Sequence, residues 1–260
     1  MSSVDHWIPH PDGRLFAREW PATDAAVALP PLVLLHDSLG CVELWRDFPE
    51  RLRAATGRRV IAYDRLGFGR SDPRAAPPSS GFIAEEAAVW FALLRERLGL
   101  QRFAVLGHSV GGGMGVNVAA RFPLDCTALV TIAAQAFVEA RTLQGLRAAR
   151  VSFAEPEALG RLARYHGDKA KSVLSAWLDT WLDPAFANWS LDDVLPGVRC
   201  PLLALHGELD EYGSAAHPRR IVERAGGLAS MEMLAGMGHV PQREQPDEIV
   251  RRVAGFLAST

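Results

Sequence analysis

The chain is predicted to fold as an α/β domain on a mainly parallel central sheet, and three observations carry that prediction. Short apolar runs alternate with longer segments of helical periodicity, the order produced when covering helices join successive strands. A serine flanked by glycines, Ser109 in LGHSVGG, directly follows the apolar run FAVL and opens a helical stretch. Residues 137 to about 196 then break the alternation with helical patterns and no convincing strand.

Taken in order, HWI and RLFAREW flank PHPDG, whose Pro-Asp-Gly chemistry predicts an opening hairpin. Six further runs read as buried strands: PLVLLH (31–36), RRVIAYD (58–64), RFAVLGH (102–108), CTALVTIAA (126–134), PLLALHG (201–207) and SMEMLAG (230–236). Ala87, Trp90, Phe91, Leu94 and Leu98 recur on one helix face, and Gly99 follows as a C-terminal stop. Near the other end Pro246, Asp247 and Glu248 open a helix whose buried stripe is Ile249, Val253, Phe256 and Leu257. The helical insertion after the sixth strand reads as a lid. The expected organisation is therefore core (1–136), cap (137–196) and core again (197–260). Trp177, Trp181 and Trp189 lie in the insertion. Trp177 and Trp181, one helical turn apart, are candidates for lining a substrate cavity beneath it.

A single domain of 260 residues buries roughly 75% of its extended-chain surface, enough for a large core. With 48% hydrophobic residues, 22% charged and a net charge of -2, the composition is that of a globular protein. It offers no basic footprint for nucleic acid or an anionic membrane surface. No apolar run approaches the roughly 18 residues that span a bilayer, and MSSVDHWIPHPDG lacks the pattern of a secretory signal. A soluble, cytoplasmic protein acting on a small molecule is expected. Cys41, Cys126 and Cys200 are odd in number and widely spaced, which predicts reduced core residues rather than a disulfide framework. No metal-ligand spacing is found among the eight histidines, so neither metal nor cofactor is expected.

The glycines around Ser109 have a steric reason. A strand that turns at once into a helix holds its central residue in strained geometry and crowds the positions two before and two after, here Gly107 and Gly111. In return the Ser109 hydroxyl projects above the sheet, beside N–H groups at a helix start that can face a developing anion. A serine needs a base, and the base needs an orienting carboxylate. Asp210 in GELDEYG follows the strand PLLAL, and His239 in GMGHVPQ follows SMEML. The order Ser109, Asp210, His239 is the one expected for a nucleophile elbow. Asp64 and Glu211 are weaker candidates for the acid, while His36, His108 and His206 are assigned structural roles.

These pieces, with LLHDS after the third strand and YDRLGFGRSD after the fourth, resemble the α/β-hydrolase superfamily over essentially the whole chain, in its serine esterase and lactonase-like branch. The resemblance implies an oxyanion hole from the N–H groups of Val110 and Ser38. It also exposes a departure: Asp37 stands where the family usually has glycine, and a carboxylate there is costly unless it points away. The implied reaction is hydrolysis of a small to medium ester, thioester or lactone through an acyl-enzyme. C–C bond hydrolysis or cofactor-free perhydrolysis is the alternative, and a non-catalytic binding module is a third reading.

Overall fold

In the computed structural model, residues 3–26 and 28–260 are described. The opening Pro-Asp-Gly turn joins β1 (Val4–Ile8) and β2 (Leu15–Trp20) as an antiparallel pair. Then come β3 (Leu32–Leu35), α1 (Phe48–Thr56) and β4 (Val60–Asp64). A helical run follows, made of α2 (Phe82–Glu85), a π-helical turn (Glu86–Trp90) and α3 (Phe91–Arg97). After β5 (Phe103–His108), α4 (Val110–Arg121) and β6 (Cys126–Ile132), three helices occur in succession: α5 (Ala140–Ser152), α6 (Pro156–His166) and α7 (Ala170–Leu182). The chain closes with β7 (Leu202–Gly207), α8 (Ala216–Arg224), β8 (Ala229–Leu234), α9 (Pro241–Glu244) and α10 (Pro246–Ala258).

The eight strands form one sheet in the order β1-β2-β4-β3-β5-β6-β7-β8, parallel from β4 onward. Both faces are covered, so successive residues of a central strand enter opposite cores. Val33 and Leu35 pack with Phe91, Leu94 and Met114 on one side. Leu32 and Leu34 pack with Phe48 and Leu52 of α1 and with Ile249, Val253 and Leu257 of α10 on the other. Phe256 is only partly buried, and Val250 is buried instead.

One strand departs from expectation. β8 is expected to be buried, but only Leu234 of its six residues is. It lies at the sheet edge with a single neighbour, where half-exposed side chains are tolerated. Cys41, Cys126 and Cys200 are free and buried. Among the described residues no helix is long and apolar enough to cross a membrane.

In a parallel sheet the loops after β3, β5, β6, β7 and β8 all emerge at one edge, where crevices for ligands form. Asp37, Ser109, Gln135, Asp210 and His239 sit in or next to those loops.

Candidate active site

The turn from β5 into α4 is as tight as the glycines imply. Ser109 has φ 55 and ψ −124, the left-handed side of the backbone map that costs a residue with a Cβ about 1–3 kcal/mol. A Cβ on Gly107 would lie 2.1 Å from the Gly111 carbonyl oxygen, and one on Gly111 would lie 2.2 Å from the Leu35 carbonyl oxygen. Neither position admits a side chain. The Ser109 N–H is held by the Ile132 carbonyl at the end of β6 (2.8 Å), which fixes the strained residue to the neighbouring strand.

Asp210, beyond β7, is 1% exposed. Its Oδ1 accepts the N–H groups of Tyr212 (2.8 Å) and Gly213 (3.2 Å), and His206 Nε2 lies 3.3 Å from Oδ2. His239, beyond β8, places Nδ1 2.9 Å from both Asp210 oxygens and Nε2 3.0 Å from Ser109 Oγ. Because Nδ1 faces a carboxylate it must carry the proton, which leaves the Nε2 lone pair toward the serine. Burial opposes charge on His239, but the Asp210 hydrogen bond and charge, with Glu211 and Asp37 behind them, outweigh it and raise the pKa above 6.5. Burial likewise works against the Asp210 carboxylate, yet its hydrogen bond to His239 and the charges of His239 and His206 hold its pKa below the ordinary value. The geometry can pass a proton from the hydroxyl to an imidazole whose tautomer is fixed from behind.

Val110 opens α4, so its N–H belongs to the first helical turn and has no intrahelical acceptor. Ser38 lines the same cavity as Ser109. The loop that carries Ser38 is braced by His36, whose Nδ1 donates to the Asp37 carbonyl (2.8 Å) and whose Nε2 accepts the Arg65 N–H (3.2 Å). Asp37 does border the cavity, and His108 stands against its carboxylate. Burial alone would raise this carboxyl, but His108, with Nδ1 3.5 Å from the carboxylate, holds it well below the usual carboxylate range. His108 also donates from Nε2 to the His239 carbonyl (2.8 Å). Its polar contacts are with the Asp37 carboxylate and the His239 backbone.

The cavity above Ser109 measures about 220 Å³. Trp177 and Trp181 of α7 line it, whereas Trp189 stacks on Phe186 at 5.5 Å and does not. Gln135 and Tyr212 also border it and were not singled out from the sequence. The Gln135 side chain is buried, and its Oε1 accepts the Ser109 hydroxyl at 3.3 Å. The Tyr212 ring sits 4.8 Å from that of His239 and 5.8 Å from that of Trp177. Tyr212 falls two residues past Asp210, a weak signal that was available; nothing in the chain marked Gln135.

The weaker candidates are accounted for. Asp64 accepts the N–H groups of Val42 and Arg70, each at 2.6 Å, and burial raises its pKa to about 6; it pins two loops. Glu211 is exposed at the cavity rim. Among the described residues no grouping of three or more His, Cys, Asp or Glu could hold a metal ion.

A family model for the alpha/beta hydrolase fold matches residues 30–205. The chain belongs to that family. Proline iminopeptidase of Lactobacillus delbrueckii subsp. lactis is 33% identical over 116 residues, 43% of this chain and 37% of that protein. The chain thus spans little more than a third of the length of that relative. Serine hydrolase BPHL of Mus musculus is 27% identical over 237 residues, covering 87% of this chain and 78% of that protein. A solved alpha/beta hydrolase fold protein from Chitinophaga pinensis superposes with a TM-score of 0.78 at 19% identity, over 100% of this chain and 98% of that one. This last likeness is one of fold alone.

Proposed function

We propose that this alpha/beta hydrolase fold protein is a serine hydrolase that cleaves a small to medium carboxylic ester, thioester or lactone through an acyl-enzyme. The observation that carries the reading is the unbroken contact from Asp210 through His239 to Ser109, 2.9 and then 3.0 Å. Ser109 Oγ attacks the carbonyl carbon while His239 Nε2 takes its proton, and the carbonyl oxygen becomes an oxyanion facing the N–H groups of Val110 and Ser38. Each such donor contributes about 3 to 4 kcal/mol to the transition state. The C–O or C–S bond then breaks, and His239 returns the proton to the leaving group. Water, deprotonated by His239, attacks the acyl-serine and regenerates the hydroxyl.

The cavity of about 220 Å³ suits an acyl group of modest size. Its aromatic wall of Trp177, Trp181 and Tyr212 favours an apolar one. The carboxylates of Asp37 and Glu211 at that wall disfavour a substrate with its own carboxylate near the reacting carbon. The likeness to a proline iminopeptidase brings amide substrates into the test.

A fluorophosphonate probe is expected to label Ser109 in the native protein, and Ser109→Ala to abolish labelling. A native protein that stays unlabelled would place the chain with non-catalytic members of the fold. p-Nitrophenyl esters of graded chain length, set beside lactones, acyl thioesters and aminoacyl nitroanilides, then rank the bond types. Ester-type substrates are expected to lead, and a clear preference for the anilides would overturn the ester assignment.

A further inference from the structure

The contact between Gln135 and Ser109 has a consequence for the second half of the reaction. Two acceptors face the serine hydroxyl: His239 Nε2 at 3.0 Å and Gln135 Oε1 at 3.3 Å. The hydroxyl has one proton, so it serves only one of them fully. Once Ser109 is acylated and the leaving group has departed with its proton, Oγ is an ester oxygen with nothing to donate. Both acceptors then stand beside the ester without a donor. Gln135 is buried, and a buried carbonyl oxygen left without a donor is unfavourable.

We infer that Gln135 is a positioning residue for deacylation, holding the hydrolytic water between its Oε1 and His239 Nε2. A water molecule has two O–H bonds, the number the emptied acceptors require. One O–H points at Nε2 and is the proton His239 removes as the water oxygen bonds to the acyl carbon. The other points at Gln135 Oε1 and stays on the water, leaving as the hydroxyl proton of the carboxylic acid product. The Ser109 Oγ–acyl bond breaks, and the proton on His239 returns to Oγ. No co-reactant beyond water is needed. Gln135 is supplied by the segment after β6 and the base by the loop after β8, so two elements fix the water's direction of approach independently.

This inference rests on the acyl-enzyme reading, and its test separates the two. Gln135→Met removes the acceptor and keeps the side-chain length; Gln135→Glu keeps an acceptor oxygen. With p-nitrophenyl acetate on the pH plateau, Gln135→Met is expected to release the first equivalent of nitrophenolate at the native rate. Its deacylation is expected to slow about 10- to 100-fold, the scale of a misplaced reactant. kcat and KM then fall together, kcat/KM is preserved, and intact-mass spectra show the protein carrying one acetyl group. Gln135→Glu is expected to recover most of the deacylation rate, and Gln135→Leu, which also lacks the acceptor, takes the place of the Met variant if that one does not fold. Native deacylation in Gln135→Met, equal losses in acylation and deacylation, or a Glu variant as slow as the Met variant would each overturn the role of Gln135. A native protein with neither labelling nor turnover would instead end the hydrolase reading itself.

Discussion

The loops beyond β5, β7 and β8 and the helices α5 and α7 face one cavity, yet they are held by different forces. The loops carry hydrogen bonds from outside the insertion: the Ile132 carbonyl holds Ser109, the N–H groups of Tyr212 and Gly213 hold Asp210, and the His239 carbonyl accepts from His108. The insertion meets the core through side-chain packing, with Phe186 against Phe82 and Trp177 against Tyr212. A few polar ties supplement it, such as Thr142 Oγ1 donating to the Tyr212 carbonyl at 2.6 Å. Polar fixation sets angles and distances within tenths of an ångström, while apolar packing sets volume and tolerates rearrangement. Changes in the first region are therefore expected to act on the rate of the chemical step, and changes in the second on which substrate is taken.

The sharpest break in that comparison is Asp210→Asn. The amide keeps the shape but no longer enforces the Nδ1 proton on His239, and kcat/KM is expected to fall about 10⁴-fold in steady-state assays with little change in KM. A loss below tenfold would show that the imidazole is oriented by something other than the buried carboxylate.

Next in size is the pH profile. Since His239 is raised above 6.5 and acts as a base only when neutral, kcat/KM is expected to fall as pH drops through a value above that of free imidazole. Glu211 contributes to the rise, so Glu211→Gln is expected to move the acid limb to lower pH without lowering the plateau. A limb that stays in place would mean that solvent screens this rim carboxylate from the imidazole.

The same division explains what the sequence revealed. The strands were legible to within one or two residues because both faces of a central strand are buried, which leaves continuous apolar runs such as Leu32–Leu35. Ser109, Gly107 and Gly111 were legible because the turn has a steric requirement that few residues meet. The π-helical turn at Glu86–Trp90 was not, since Ala87, Trp90, Phe91 and Leu94 keep a helical spacing whether or not one turn is widened. Gln135 was hidden for another reason: its contact with Ser109 depends on the path of the chain after β6, and no local propensity encodes that path. Asp37 was visible as a departure, but its pairing with His108 joins residues 71 positions apart, within reach only once β3 and β5 lie side by side.

In the insertion the effects are expected to be smaller and of another kind. Trp177→Ala removes one wall of the cavity and leaves the contacts among Ser109, His239 and Asp210 in place. Fluorophosphonate labelling should persist, while the preferred ester chain lengthens and KM for the native optimum rises about tenfold. An unchanged chain-length profile would remove α7 from substrate selection.

The smallest expected effect concerns the tie between α6 and the loop that carries Ser38. His166 accepts the Gly69 N–H on Nδ1 (2.9 Å) and donates from Nε2 to the Leu39 carbonyl (3.0 Å), so it must be neutral to make both bonds. Burial, with Lys169 and Arg65 nearby, lowers its pKa below 6.5. A histidine depressed in the folded state stabilises the fold above its unfolded pKa, and that contribution is lost as pH falls from about 6.5 toward the folded value. His36, His206 and His217 shift in the same direction, while His239 and Asp64 shift upward and act with the opposite sign, so His166 is responsible for only a share of the change in Tm between pH 7 and pH 5. His166→Phe is expected to lower Tm at pH 7 by about 4–8 °C, the equivalent of two hydrogen bonds in a chain of this size. Its Tm should also decline less steeply toward pH 5 than that of the native protein. Equal slopes in the two proteins would show that the histidine is not held neutral by the loop, and the insertion would then be tied to the core by the Thr142 and Arg141 hydrogen bonds and its aromatic packing.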